Sequence, residues 1–184
     1  MAKRYPDINK QVKKFIQQQK IYFVATATAD SHINLSPKGM DSFKIINKNT
    51  IVWLNLTGSG NETAAHLQSD PRMTIMFTAF EGDPMIVRLY GKATSIHHKD
   101  ADWNKYYRLF KPLASARQIF LMPVDLVQTS CGMSTPFFEF KGERTQLLDW
   151  ANKLGEKGIK QYWRDKNQIS LDDELIHIVE KNIE

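Results

Sequence analysis

Small and hydroxyl-bearing side chains crowd one short stretch of the chain, TGSGNET at residues 57–63. Gly58 and Gly60 carry no side chain, so a ligand can approach the backbone there. A helix is predicted to start near Asn61, and the free N–H groups at a helix N-terminus attract anions. The stretch therefore indicates a seat for a phosphate group, with candidate contacts at Ser59, Gly60, Asn61 and Thr63.

The same stretch also fits a structural interpretation that needs no ligand. Ser59 and Glu62 are three residues apart, the spacing of a capping box, in which a Ser hydroxyl and a Glu carboxylate each bond a backbone N–H at a helix start. A carboxylate in the first turn would compete with a phosphate for those N–H groups, unless its oxygens turn toward another donor. Both interpretations stay open from the sequence.

Two cations elsewhere in the chain are candidates to complete an anion site. Lys38 lies at the end of a predicted strand beside Gly39, and Arg88 lies inside the apolar stretch MIVRLYG. A charged side chain is seldom buried without a partner. Arg88 is therefore either an outward-facing or ion-paired strand residue or a binding-site cation, and Lys38 taken alone would be a surface lysine.

The remaining chemistry-bearing side chains predict neither a catalytic acid–base set nor a metal site. His97 and His98 are adjacent, and a metal needs more ligands than such a pair offers, so we expect a solvated turn. His66 falls within a predicted helix and faces solvent or the interior. Cys131 is expected to be a small core residue, although a place near a bound ring stays open, and it is not predicted to be a nucleophile.

Strand-like segments dominate the rest of the chain. Runs of β-branched and aromatic residues between polar turns predict strands, and apolar residues spaced by three and four predict helices. Pro123 indicates an edge strand or a bulge. Several successive strands with few helices favour a mainly β, antiparallel barrel with peripheral helices. The predicted strands span residues 21–29, 33–39, 43–46, 50–56, 72–80, 85–97 and 118–129, and the predicted helices span residues 7–20, 61–68, 101–110 and part of the tail after 143.

Length and composition limit the class of protein. With 184 residues, 42% of them hydrophobic, we expect one domain over 1–184, with its core at about 21–140 and a helical C-terminal extension at 141–184. The sequence has neither a transmembrane apolar run nor the apolar region of a secretory signal. The lone Cys131 fits a cytoplasmic location. The formal net charge of +5 is scattered, so neither nucleic acid nor a membrane is an expected partner.

Longer segments of the chain resemble a known family. A similarity to the pyridoxamine 5′-phosphate oxidase-related family of flavin mononucleotide (FMN)-binding split-barrel proteins covers roughly residues 21–171. It is carried by FVATATADSHINLSPKG, DSFKIINKNTIVWLNLTGSGNETAAHLQSDPRMTIMFTAFEGDPMIVRLYGKA, SCGMSTPFFEFKGER and KNQISLD. The order of GSGNETAAHL, MFTAFEG and RLYGKA makes this resemblance specific as a set.

This resemblance implies a six-stranded antiparallel split barrel, a homodimer, and FMN bound in a groove between the subunits. Three elements would line the flavin and its phosphate: the strand that ends at Lys38, the strand of residues 53–55, and the turn before Asn61. Lys38 would contact the flavin or its phosphate. Trp53 and Leu54 would lie along the ring or the ribityl chain. The residues expected to bind the cofactor are Ser36, Lys38, Trp53, Leu54, Asn55, Ser59, Gly60, Asn61, Thr63 and Arg88.

The chain departs from the pyridoxamine-phosphate oxidases proper at the helix start. Those enzymes carry an Arg-Lys pair where this chain has Glu62-Thr63, and KNQISLDDELIHIVEKNIE lacks their Arg- and His-bearing C-terminal segment. Oxidation of pyridoxamine phosphate is therefore not expected. The resemblance favours an FMN-dependent oxidoreductase with an unidentified small-molecule substrate. The alternatives are a non-catalytic flavin carrier or sensor, and a split barrel that binds haem or a deazaflavin.

Overall fold

The structure, a computed structural model, describes residues 2–184. Within this range the chain forms nine strands and five helices. The strands are β1 (Lys3–Tyr5), β2 (Tyr22–Thr26), β3 (Asn34–Lys38), β4 (Phe43–Asn47), β5 (Thr50–Leu56), β6 (Arg72–Thr78), β7 (Met85–Lys92), β8 (Thr94–Ile96) and β9 (Ala116–Cys131). The helices are α1 (Lys10–Gln18), α2 (Glu62–His66), α3 (Trp103–Tyr107), α4 (Gln146–Lys166) and α5 (Ile178–Asn182).

The strands form one antiparallel sheet that divides at its longest strand. Its order is β3-β2-β6-β7-β9-β5-β4, and β1 and β8 pair with β9 outside this path. β9 pairs with β5 along its first half and with β7 along its second half. This shared strand gives the split-barrel architecture, which confirms the predicted mainly β class. The number of six strands implied by the resemblance is wrong. The seven predicted segments become nine strands, because the segment 85–97 breaks in two at Ala93 and the unpredicted β1 joins the sheet.

The strand β5, which lies between β9 and β4, separates two apolar clusters. Its sequence TIVWLNL is buried on both faces, as expected for a strand that is covered on each side. Trp53 faces the main core, where its ring lies 4.7 Å from that of Phe120. Leu54 faces the second cluster with α3. Because side chains alternate along a strand, Asn55 returns to the face of Trp53 and points toward the polar turn that follows β5.

Pro123 lies where β9 passes from one partner strand to the other. The prediction of an edge strand is wrong, because β9 runs between β5 and β7. The alternative prediction of a bulge is confirmed by the register shift beside Val124, which pairs with Gly91. A Cβ atom on Gly91 would lie 2.0 Å from the carbonyl oxygen of Pro123. Glycine is therefore required at position 91, where the backbones of β7 and β9 approach so closely.

The C-terminal extension packs behind the turn between β5 and α2. Its helices α4 and α5 share an apolar cluster that includes Ile159, Trp163 and Ile178. Trp163 Nε1 donates a hydrogen bond of 2.9 Å to Thr57 Oγ1, which fixes α4 to the end of β5. α4 was predicted, whereas the short α5 was not. Across residues 2–184, no helix combines the length and the apolar character needed to cross a bilayer.

Candidate cofactor-binding site

Residues 57–61, here called the glycine corner, connect β5 to α2, and the carbonyl groups of Gly58, Ser59 and Gly60 turn inward. Arg117 Nη2 donates to Gly60 O at 2.9 Å. Asn167 Nδ2 donates to Gly58 O at 3.0 Å and to Ser59 O at 3.3 Å. The carbonyls of three consecutive residues are thus held by two side chains from distant parts of the chain.

The backbone N–H groups of the corner face the opposite way. In a trans peptide the carbonyl and the following N–H point in opposite directions, and the chain has no cis peptide in residues 2–184. The N–H groups of Ser59, Gly60 and Asn61 therefore point away from Arg117. None of them donates to a protein acceptor in the described part of the chain. A concave run of free N–H groups is a binding site for anions.

Arg117 places a buried positive charge beneath the corner. It is 2% exposed, and burial lowers the pKa of its guanidinium to about 9, so it stays protonated at neutral pH. Nη1 donates to Asn167 Oδ1 at 2.8 Å, but no carboxylate within residues 2–184 forms an ion pair with it. The charge of Glu62 acts on it only from a distance, so no direct contact with a carboxylate in this range neutralises it.

Side-chain amides around the corner also offer more donors than acceptors. Asn55 Nδ2 donates to Gln118 Oε1 at 3.0 Å and lies 3.4 Å from Asn61 Oδ1. Asn61 Nδ2, Gln118 Nε2 and Arg117 Nε are buried without an acceptor in the chain from residue 2 to residue 184. Unpartnered buried donors are rare and costly. Their excess here fits a ligand that carries negatively charged oxygen atoms.

A polar row on the edge strand β3 leads away from the corner. Asn34, Ser36 and Lys38 occupy one half-buried face of β3. Asn34 Nδ2 donates to Thr63 Oγ1 at 3.0 Å, which joins the row to α2. From Asn34 to Lys38 the strand extends about 13 Å. One continuous polar wall thus connects the first turn of α2 with Lys38.

Lys38 lies at the far end of this row, and its pKa is lowered. Its Nζ lies 5.3 Å from the ring centroid of Trp53. Burial, and then the charge of Arg117, lower the pKa of Lys38 to about 8. Lys38 also lines a cleft of about 1610 Å³ between α1, the turn at residues 80–83 and the segment 138–147. The glycine corner is not part of this cleft, and β3 is the element that links them.

The structure does not bring every predicted residue to this wall. Trp53 and Leu54 are both buried, and Leu54 lies on the other face of β5, with its N–H bonded to Ser42 O at 2.8 Å. Leu54 therefore has no side chain to offer a cofactor at the wall. Arg88 is half-buried on β7, and its Nη1 donates to Ser130 Oγ at 3.1 Å. Arg88 thus pairs with a hydroxyl on β9 and lies off the polar wall, and its contact with a cofactor stays a prediction.

The family of the chain is settled by its match to a family model. Residues 8–131 match the model described as pyridoxamine 5′-phosphate oxidase. The chain belongs to the pyridoxamine 5′-phosphate oxidase family. A family protein of Aspergillus flavus is 31% identical to it over 140 residues, which cover 73% of this chain and 56% of that protein. The chain thus spans little more than half the length of this relative.

Solved structures share the fold of this family member. A variant of HupZ from Group A Streptococcus has a TM-score of 0.55 and 19% identity, covering 67% of this chain and 99% of that chain. A proposed pyridoxamine 5′-phosphate oxidase of Lactobacillus delbrueckii has a TM-score of 0.52 and 14% identity, covering 67% of this chain and 94% of that chain. At such identities the likeness concerns the fold alone.

The helix start, where the chain departs from the oxidases proper of its family, does not form a capping box. α2 begins after Asn61, which makes no side-chain cap bond, so the capping interpretation of Ser59 and Glu62 is wrong. Glu62 Oε2 instead accepts a hydrogen bond of 3.0 Å from the N–H of Leu171. Oε2 is therefore engaged by the C-terminal extension, and within residues 2–184 neither carboxylate oxygen accepts from an N–H group of the corner.

Three other predictions about reactive side chains are wrong or refined. His97 and His98 do not form a solvated turn, because both pack against α5 and the start of β9. Asn182 Nδ2 donates to His97 Nδ1 at 3.1 Å, and burial lowers the pKa of His97 to about 4. Cys131 is exposed rather than buried in the core. His66 faces the interior, where its Nδ1 lies 3.1 Å from Thr26 Oγ1.

Arg117 and Asn167 are the main site residues that the sequence did not predict. Both lie outside the glycine stretch, at separations of 57 and 109 residues from the carbonyls they bind. A signal was present for Arg117, which immediately precedes the apolar run of the predicted strand at 118–129. A charge at the entrance of a buried strand requires a partner. Asn167 gave no comparable signal.

Proposed function

We propose that this member of the pyridoxamine 5′-phosphate oxidase family binds FMN and acts as an oxidoreductase on a small molecule. The glycine corner carries the proposal, since its carbonyls are engaged from behind while its N–H groups remain free. The phosphate would contact the N–H groups of Gly60 and Asn61 and the hydroxyl of Thr63. The buried charge of Arg117 would attract it through the loop.

The polar row of β3 suits the rest of the cofactor. Ser36 would offer its hydroxyl to the ribityl chain, and Lys38 would lie at the ring. When bound, FMN accepts and donates electrons or hydride at its ring. The ammonium of Lys38 would hold negative charge that develops on the ring during reduction, because a cation fixed in a partly dehydrated site stabilises such charge. Its pKa of about 8 keeps most of it protonated at neutral pH.

The size of the neighbouring cleft favours an enzyme over a passive flavin carrier. Drug-sized ligands fill about 300–1,000 Å³, whereas the cleft beside Lys38 measures about 1610 Å³. It therefore has room for a ring and for a small substrate next to it.

The same proposal includes a homodimer. Large apolar side chains stand exposed in the segment after β9, with Phe137 81% and Met133 81% exposed. Leu35 on the outer face of β3 is also exposed. Clustered exposed apolar residues of this size mark protein interfaces. A second copy that covers them would close the cleft next to Lys38, which gives the dimer a direct part in the cofactor site.

A titration with FMN tests the proposal. We expect the purified full chain to bind FMN at a stoichiometry of one per chain, with quenched flavin fluorescence and shifted flavin absorption bands. Gly60→Leu should weaken binding at least about tenfold, equivalent to about 1.4 kcal/mol, because its side chain would occupy the phosphate seat. The apo fold should accept Leu, since the nearest atom to a Cβ at Gly60 is Glu62 Oε1 at 3.6 Å.

Ser69→Leu, at an exposed site after α2, is the matched control and should keep the wild-type affinity. Equal affinity for FMN in Gly60→Leu and Ser69→Leu would contradict the phosphate seat. A preparation that ignores FMN but gives a Soret band with haem would contradict the choice of cofactor. Reduction of bound flavin by NAD(P)H and reoxidation by an organic acceptor would support the oxidoreductase over a carrier.

A further inference from the structure

Three potential metal ligands meet between α2 and the C-terminal extension. Glu62 and His66 are four residues apart, so they lie on one face of α2. Asp172 approaches them from the segment between α4 and α5. One ligand atom from each of the three lies within 4.8 Å of the others. The group combines one imidazole and two carboxylates.

His66 points an unused nitrogen into this group. Its side chain is 1% exposed, and its Nε2 has no hydrogen-bond partner among residues 2–184. Its Nδ1 lies 3.1 Å from Thr26 Oγ1. With the proton on Nδ1 donated to that hydroxyl, the lone pair of Nε2 faces the two carboxylates. A metal-binding histidine is oriented in this way, by a bond from its other nitrogen.

The two carboxylates are held in place by further hydrogen bonds. Asp172 Oδ1 lies 2.5 Å from His32 Nδ1, and Asp172 Oδ2 accepts from the N–H of His32 at 3.1 Å. Glu62 Oε2 accepts from the N–H of Leu171. Each carboxylate is therefore fixed by one neighbouring residue and retains lone pairs for a cation. Such supporting bonds are typical of metal sites.

We propose that Glu62, His66 and Asp172 bind one divalent transition-metal ion of the zinc class. Imidazole and carboxylate together suit zinc and its neighbours better than magnesium or calcium. Metal–ligand bonds of about 2.0–2.2 Å span at most about 4.4 Å between two ligands, so small rotations of the carboxylates close the group around the ion. The charge of the ion balances the two carboxylates. The ion ties the extension to α2.

Zinc binding to the full chain tests this proposal without any flavin. The protein is freed of metal with EDTA, and Zn²⁺ is titrated by calorimetry in competition with a chelator of known affinity. One Zn²⁺ per chain is expected. Asp172→Asn should weaken binding at least tenfold. His66→Asn should do the same, because its amide keeps the contact with Thr26 while Nε2 is lost.

Asp173→Asn is the matched control, because Asp173 follows Asp172 in the chain but lies outside the group. Its φ of 61° is one that Asn tolerates. It should bind Zn²⁺ within twofold of wild type. Zn²⁺ should also raise the melting temperature of wild type but not of Asp172→Asn. Failure of wild type to bind Zn²⁺ saturably, or equal binding by Asp172→Asn and Asp173→Asn, would overturn the site. Neither result depends on whether FMN binds.

Discussion

The glycine corner and the His97–His98 turn are both held by an asparagine of the C-terminal extension, yet they differ in what remains free. The side-chain amide of Asn167 donates only to carbonyls of the corner, so the backbone N–H groups stay available. Asn182 donates to His97 Nδ1 and accepts from the N–H of His98, so it uses groups that a ligand would need. Whether polar residues can bind a ligand therefore depends on which of their hydrogen-bonding groups the fold leaves free.

The largest expected effect on the glycine corner comes from loss of Arg117. Arg117→Met removes the buried charge and leaves Gly60 O without its donor. We expect FMN affinity to fall about 100-fold, equivalent to about 2.7 kcal/mol, and the free energy of unfolding to fall by about 1–3 kcal/mol. FMN titration and urea denaturation measure the two effects. Arg88→Met is the control and should change FMN affinity less than threefold, and similar losses in both variants would refute the role of Arg117.

Acid should destabilise the chain through the histidine turn. The pKa of His97 is lowered from 6.5 to about 4, so between these values the unfolded chain binds a proton that the folded chain does not. Stability is therefore lost as pH falls from about 6.5 to 4, by up to about 3 kcal/mol. His97→Gln should flatten this part of the profile of unfolding free energy against pH. An unchanged slope in the variant would exclude His97 as its source.

Removing each asparagine in turn compares the regions directly. Asn167→Ala and Asn182→Ala should each lower the free energy of unfolding by about 1–2 kcal/mol, because buried hydrogen bonds are lost. Asn167→Ala should in addition weaken FMN binding about tenfold, since the carbonyls of Gly58 and Ser59 are released. Asn182→Ala should leave FMN affinity unchanged. A loss of affinity shared by both variants would show that the corner responds to general loosening of the extension.

The smallest effect concerns the acidity of Lys38. Its pKa of about 8 predicts that FMN affinity falls severalfold as pH rises from about 7 to 9, because the ammonium loses its proton. The free energy of unfolding should instead increase as pH rises through about 8, because the folded chain releases the Lys38 proton there while the unfolded chain keeps it. Lys38→Met should bind FMN weakly and without this pH dependence. A wild-type affinity that stays flat across this range would contradict the contact between Lys38 and the flavin.

Local patterns predicted the elements better than the bonds between them. Alternating and β-branched residues identified β2 and β5 because their burial is set by period-two packing. The glycine corner was located for a similar reason, since small residues before a helix are a local signal. The capping interpretation failed because α2 begins at Glu62, whose carboxylate finds Leu171. Rules for helix starts consider only nearby residues, so they cannot predict a hydrogen bond to Leu171.

Contacts between distant segments account for the remaining misses. Arg117 and Asn167 reach the corner only after β9 and α4 have packed. His97 and His98 looked like a solvated turn because α5, the element that buries them, was itself not predicted. Tertiary packing decided each of these.

The region shared with the family model ends at residue 131, whereas Trp163 and Asn167 reach the glycine corner from α4 and its C-terminal end, beyond that limit. Part of the inner support of the corner is thus supplied by a segment outside the matched region, whereas Arg117 lies within it. Substitutions in α4 can alter the grip on a bound anion while every strand stays the same. A relative that keeps the barrel but carries a different appendage would lack these two contacts with the corner.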